Sequence, residues 1–462
     1  MPSRCTICRL TWSRELILVY INAFLYAVCF AVQQPVAPYL VKKLAGEEDA
    51  KVVYGRVLSF FSFAQLVGAP FMGFVLDRCG IRIGCIVVYL SSSISFAILG
   101  CATKLWILYA SKAPAALSHG VLVSQTMIAQ LTTPEERAEA LALLMSAYTI
   151  GATVAPAIGG LIGAKDLYIG AWIAAAGSLV SAGVSLMLPA FPGQGNHSKL
   201  LAEEELVRAE DGAAEDLQDY SDEAGRSSKN LGLVDGFKRV AGNHVVLALL
   251  FTKLCMTTTN SLYTQARPII LEEKFKVDTK GQGFHMSAMY LCNALSSAFL
   301  VGPINRACST GTFVLGCMTL MTVCFFAMAQ SGPATAMVTT SQSIVPGLHA
   351  SIPHAAISIV ASMASFAVSS GMTAITTAQV EDSLKGKLLG LEHGIFSLAA
   401  VGVPSLSMIL LKEIDIAGMC YTCGGLMVAV MVLWQLTAAP RVMQAEAIRS
   451  KGLAEQSEPL RL

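Results

Sequence analysis

Lys112 and Lys253 each interrupt a long apolar run, and His119 and His354 stand in similar surroundings; these side chains could do chemistry. An ammonium held in hydrocarbon costs ~2.5–3.5 kcal/mol even on the lenient insertion scale, so such a lysine faces a water-filled cavity or a partner. Two kinds of chemistry follow. One is binding of a charged solute; the other is uptake and release of a proton, since histidine titrates near neutrality and a desolvated lysine can be neutral. Between the ends of the apolar runs the one acidic residue is Glu392, close to the inner end of its run. Two lysines with no carboxylate of comparable depth predict a site of positive potential that takes an anionic or zwitterionic solute. For each histidine, a hydrogen-bonded place in the core is the competing expectation.

Polar residues recur around these charges at spacings of three, four or seven. One set is Asn22, Tyr26, Cys29 and Gln33; a second is Lys112 and His119, with Gln125 at a wider angle. A third is Lys253, Thr257, Asn260 and Thr264, and a fourth His354, Ser358, Ser362, Ser365, Ser369 and Thr373. Such spacings place each set on one helical face. A face of this kind lines a water-accessible path, or it hydrogen-bonds to a neighbouring helix.

The elements that must position these residues are membrane helices. Of 462 residues, 54% are hydrophobic and 14% charged, and the mean hydropathy is +0.60; soluble domains carry roughly 25% charge. A crossing takes ~20 apolar residues. Runs of that order cover 16–40, 54–76, 83–102, 105–130, 141–163 and 168–188, then 243–270, 283–304, 311–330, 353–380, 388–411 and 417–438. The predicted organisation is a tail 1–15, a six-helix bundle 16–188, a linker 189–242, a second bundle 243–438 and a tail 439–462. The linker holds eleven Asp or Glu against six Lys or Arg and reads as disordered. Residues 331–352 are apolar but contain Pro and Gly, as in a long outer loop. The first apolar run is too long for a cleavable signal peptide.

A net charge of +1 without a basic block argues against nucleic acid. Most of the 13 cysteines lie in apolar runs, where thiols behave as small hydrophobes. The pairs Cys5/Cys8 and Cys420/Cys423 belong to a terminus and a membrane helix and do not make a zinc site, so neither metal nor cofactor is expected. Lys and Arg are nearly balanced between the two sides, so charge does not orient the chain.

The run Gly73-Phe-Val-Leu-Asp77-Arg78-Cys-Gly80-Ile-Arg82 predicts a short hinge outside the hydrocarbon. Gly73 and Gly80 allow close backbone approach and positive φ, and Asp77 can cap a helix N-terminus. This run resembles the G-x-x-x-D-R-x-G-R loop between helices 2 and 3 of the major facilitator superfamily, with Arg82 one place beyond the usual arginine. Val301-Gly-Pro-Ile-Asn305-Arg306 is its weaker echo in the second half. Lys112 stands where the superfamily has a basic residue opening R-x-x-x-G on helix 4, with Ala116 in place of the glycine. Gly151-Ala-Thr-Val-Ala155-Pro156-Ala-Ile-Gly159-Gly160 resembles the helix-5 signature of the antiporter branches, with Ala155 replacing one glycine. Physically it is a small-residue packing face, continued by Gly163, with a kink at Pro156. The course from Gln33 and Pro38 through Lys112, His119, Gln125 and Pro134-Glu135-Glu136-Arg137, with Lys253, Leu389-Gly390 and Pro404, resembles the organic-cation-transporter-like solute carriers (solute carrier family 22, member 18 type). That group is similar to bacterial tetracycline and multidrug proton antiporters.

The resemblance implies an all-α polytopic protein of two pseudo-symmetric six-helix bundles, with both termini and the linker in the cytosol. Helices 1, 4, 7 and 10 would line a central cavity, and the four polar stripes fall on those helices. Asp77 would hold the cytosolic ends of helices 2 and 11 together in one state. The implied activity is transport of a small organic solute by alternating access, coupled to protons, with antiport favoured. A facilitative uniporter and a non-transporting membrane sensor or scaffold are the alternatives. No nucleophile–base set or phosphate loop supports an enzyme. The expected partners are the lipid bilayer, a small organic solute and protons. The expected form is a monomer, spanning the plasma membrane or an organelle membrane many times.

Overall fold

A computed structural model describes residues 13–190, 242–331, 348–380, 382–437 and 439–440. The linker, apart from its first two residues and its last, the tails, apart from residues 13–15, 439 and 440, and residues 332–347 of the predicted loop 331–352 therefore lie outside the described residues, while 348–352 are helical rather than loop.

Among those residues the regular structure is helical throughout. In chain order the helices are α1 (Arg14–Ala31), α2 (Ala37–Ala45), α3 (Ala50–Cys79), α4 (Ile81–Gly100), α5 (Leu105–Lys112), α6 (Gly120–Leu131), α7 (Pro134–Gly163) and α8 (Ile169–Leu186). Then come α9 (His244–Phe275), α10 (Thr279–Leu295), α11 (Gly302–Ala307), α12 (Thr310–Gln330), α13 (Leu348–Ala378), α14 (Asp382–Glu413) and α15 (Asp415–Thr437). A 3₁₀ turn, Pro114–Leu117, separates α5 from α6, and a π turn, Ser296–Val301, joins α10 to α11.

Local chemistry sets the ends. Ser13, Asn243, Asp278 and Ser309 accept backbone N–H groups of the helices they open, satisfying donors that have no intrahelical partner. The hinge after α3 is tighter than predicted: α3 runs to Cys79, α4 starts at Ile81, and Gly80 alone turns the chain, with φ +81°. Only glycine takes that conformation without strain. Asp77 therefore sits in the last turn of α3 and caps no helix N-terminus, and Gly73 has open space where a Cβ would stand, so it mediates no close approach.

Among the described residues, eleven helices are long and apolar enough to cross a membrane. The twelfth crossing is the broken course α5–turn–α6. Large apolar side chains such as Phe71, Trp106, Leu179, Phe299 and Leu398 are exposed on their outer faces. Lipid is the solvent that tolerates such an apolar surface, and helices are the form in which most backbone polar groups are satisfied within a segment. The chain is thus an integral, multi-pass membrane protein.

The helices group into two compact units. One holds the described residues of Met1–Ala37 and Phe60–Gly232, the other those of Pro38–Ser59 and Leu233–Leu462. Residues 38–59, which the sequence predicts to fold with the first bundle, are tied into the second unit. Tyr39 donates to the Val277 carbonyl (2.5 Å), Lys42 pairs with Glu272 (2.9 Å), Lys51 pairs with Glu273 (2.8 Å), and Ser59 bonds Ser405 (2.7 Å).

Candidate functional site

In the first unit the site forms where the fourth predicted crossing breaks. Residues 105–130 read as one span, but Pro114 removes a backbone donor and its ring crowds the preceding turn, so α5 ends at Lys112 and helix resumes only at Gly120. The carbonyls freed by the break are taken up by neighbouring helices. Ser95 of α4 donates to Ser111 (2.8 Å), Gln65 of α3 to Ala115 (2.5 Å) and Tyr26 of α1 to Ser118 (2.7 Å). Non-helical backbone at membrane depth requires such replacement partners.

Lys112 closes α5, where the negative end of the helix dipole favours a cation. Its Nζ lies 5.9 Å from the centre of the Phe61 ring, and it makes no salt bridge among the described residues. His119 stands just before α6 with a buried Nε2 that has no hydrogen-bond partner among the described residues. Tyr26, Lys112 and His119 thus all border the same break. Their predicted companions do not join them. Asn22 donates to Ser185 of α8 (3.1 Å), a bond between packed helices. Gln33 lies beyond the end of α1 and packs on Gly170, so helical spacing no longer holds it on the face of Tyr26. Gln125 is exposed.

The helix-5 signature lies on α7 and packs on α1. A Cβ on Gly151 would meet the Phe24 carbonyl, and one on Gly159 would overlap the Val32 carbonyl. Ala155 and Gly160 are buried, and Pro156 lies inside the helix. In the hinge run, Arg82 donates to the Leu186 carbonyl at the end of α8, while Arg78 is exposed over the Phe74 ring (5.5 Å).

The second unit corrects the charge reading. Lys253 is 1% exposed and its Nζ donates to Glu392 of α14, itself 7% exposed, and to Thr373 of α13. A carboxylate of comparable depth is therefore present, and Lys253 adds no net positive charge. Two helices coming together put Glu392 level with Lys253; position along its own run made it look terminal. The Phe396 ring lies 5.5 Å from the same ammonium. Glu392 Oε2 remains buried without a partner.

His354 is fully buried with both ring nitrogens engaged, Nε2 by Tyr263 (2.9 Å) and Nδ1 by Ser331 (2.7 Å), as expected of a hydrogen-bonded core histidine. Ser358 bonds His285 of α10 (3.0 Å) and the Ala355 carbonyl (2.9 Å). Thr257 gives its hydroxyl to the Lys253 carbonyl (2.7 Å), and Asn260 lies half-buried one turn on. The sequence reading missed Glu392 as a partner, and also Arg267, Tyr263 and His285. Arg267 continues the stripe 253, 257, 260, 264 by three further residues, a signal that was available.

Fold and buried charges together define an all-helical, membrane-spanning protein with ionisable groups placed deep among its helices. The chain belongs to the Major Facilitator Superfamily, whose family model matches residues 19–348. It is 25% identical to the Escherichia coli "Tetracycline resistance protein, class C" over 295 residues, 64% of this chain and 68% of that protein. It is 24% identical to the Homo sapiens "Solute carrier family 67 member A1" over 69% of this chain and 71% of that one. "Solute carrier family 22 member 18" of Mus musculus is 32% identical over 152 residues, 32% of this chain and 37% of that protein. Among solved structures the fold matches the nucleoside transporter NupG, with a TM-score of 0.67 at 12% identity, over 92% of this chain and 100% of that one. It also matches the human organic anion transporter MFSD10, with a TM-score of 0.55 at 17% identity, over 91% and 98%.

Proposed function

We propose that this protein moves a small organic solute across its membrane by alternating access, coupled to protons through the Lys253–Glu392 pair, with antiport as the mode. The observation that carries the reading is that buried pair, which fastens α9 to α14 and, through Thr373, to α13. Protonating Glu392 removes its charge and turns the ion pair with Lys253 into a weaker neutral-acceptor hydrogen bond, so one proton changes how three helices are held. A proton can shift a conformational equilibrium only through such a difference between states. The helix-5 signature on α7 and the similarity to a tetracycline resistance protein favour antiport. Lys112, with Tyr26 and His119 at the break in the fourth crossing, is the proposed solute contact in the first unit.

The test is transport in proteoliposomes, with counterflow against a panel of organic anions and cations followed by uptake under an imposed pH gradient. Glu392→Gln should abolish accumulation driven by the gradient while retaining solute counterflow, and Lys112→Ala should lose solute binding. Gradient-driven accumulation undiminished in Glu392→Gln would overturn the coupling role. Equilibration without accumulation in the wild type would identify a uniporter, and the absence of any flux a sensor or scaffold.

A further inference from the structure

Arg267 lies on the same face of α9 as Lys253, fourteen residues and so ~21 Å further along the axis. It is 5% exposed, and its one hydrogen bond among the described residues goes from Nη1 to the Met289 sulfur (2.6 Å). Among the described residues no carboxylate forms a salt bridge with it. The nearest along α9, Glu272 and Glu273, are paired with Lys42 (2.9 Å) and Lys51 (2.8 Å). Residues 332–347, which follow the Ser331 that holds His354, contain no Asp or Glu. Buried guanidinium groups are ordinarily paired, because an uncompensated charge out of water is strongly unfavourable.

The titratable groups that act on Arg267 are aromatic and neutral. Tyr54 of α3, Tyr263 of α9 and Tyr290 of α10 lie within electrostatic reach of the guanidinium, and Tyr54 and Tyr263 are both buried. His285 of α10 is also within reach, and its buried Nδ1 has no hydrogen-bond partner among the described residues. The carbonyl next to the guanidinium's own residue, that of Pro268, is held by Gln282 (2.5 Å), which keeps α10 against this part of α9.

Resting on the transport reading, we infer that Arg267 is the anion-recognition residue of the solute site, and that the solute is a small organic carboxylate with an apolar or aromatic body. The planar guanidinium matches a carboxylate in a two-pronged bond, and the tyrosine rings offer an apolar wall for the rest of the molecule. This site lies far from Glu392 along α9. Solute and proton are thus linked through helix movement, and an anionic solute is compatible with antiport.

The experiment uses the full-length chain in lipid nanodiscs, with benzoate, phenylacetate and indole-3-acetate as probes, each paired with its neutral amide, and with inorganic phosphate and chloride as simple anions. Binding is read by calorimetry and by the shift in thermal unfolding. In the wild type at least one carboxylate should bind and its amide should not. Arg267→Gln should weaken that binding about 10- to 100-fold, the loss of a charge-assisted bond, and Arg267→Lys should restore part of it. Equal binding of acid and amide overturns the inference. So does binding unchanged in Arg267→Gln, no carboxylate binding at all, or inorganic phosphate or chloride binding as tightly as the organic acids. The acid–amide comparison needs only the wild-type protein, so a variant that fails to fold does not block it. Carboxylate binding without flux in liposomes would leave this site standing and remove the transport reading instead.

Discussion

At the residue scale, the decisive group is Glu392. Read alone it is an acid near the end of an apolar run; read with α9 it is the counter-ion of Lys253. Breaking a buried pair from one side leaves a charge stranded out of water, which costs ~3–5 kcal/mol, whereas replacing both members by apolar groups is often nearly neutral. Lys253→Met should therefore lower stability by about that amount, and adding Glu392→Leu should recover much of it. Thermal unfolding of the four proteins in detergent measures the cycle. Additive losses would show that the two groups do not depend on each other. Arg267 carries the opposite lesson. Its helical register was plain, but whether a carboxylate met it depended on which side chains the fold brings around it.

At the element scale, close packing and turn chemistry do the positioning. Gly159 of α7 sits where the α1 backbone passes, so Gly159→Leu should cost at least ~1–3 kcal/mol through overpacking and should abolish transport. A stable, fully active variant would show that α7 can be held differently. The segment α2 with the start of α3 is tied to the end of α9, around a cavity of about 270 Å³ lined by Lys42, Glu47, Lys51, Glu272 and Glu273 among others. The Lys42 ammonium is held above the ordinary lysine range, first by its hydrogen bond to Glu272 and then by Glu47. A raised lysine contributes fully below its unfolded-state pKa and loses that contribution as the pH rises through the folded value. The tie should therefore persist across neutral pH and loosen only in strong alkali. Amide exchange of residues 37–51 should accelerate there beyond the intrinsic alkaline increase, and at neutral pH in Lys42→Ala. Exchange indifferent to both would mean that the ion pairs hold nothing.

At the scale of the whole molecule, we propose a gating role for Asp77, which is exposed in the last turn of α3. Asp77→Asn should impair turnover while leaving expression and unfolding temperature nearly unchanged, since an exposed polar substitution is usually worth within ~0.5 kcal/mol. Unchanged turnover would remove the gating role. The sequence by itself determined the class, most of the crossings and the small-residue face of α7, because apolar length and residue size are local quantities that lipid and close packing read directly, but it read 16–40 and 105–130 each as one helix where the chain is broken. It also singled out Tyr26, Lys112 and His119, though the seven-residue helical register it assumed between Lys112 and His119 is interrupted by the turn at Pro114–Leu117. The tertiary structure alone decided that Pro114 breaks a crossing whose freed carbonyls find Ser95, Gln65 and Tyr26, and that residues 38–59 join the second unit. It alone also decided that Lys253 is neutralised while Lys112 and Arg267 meet no carboxylate among the described residues. The physical reason is that net charge at a site is a sum over side chains from helices remote in sequence, and helical periodicity says which way each points but not what it meets.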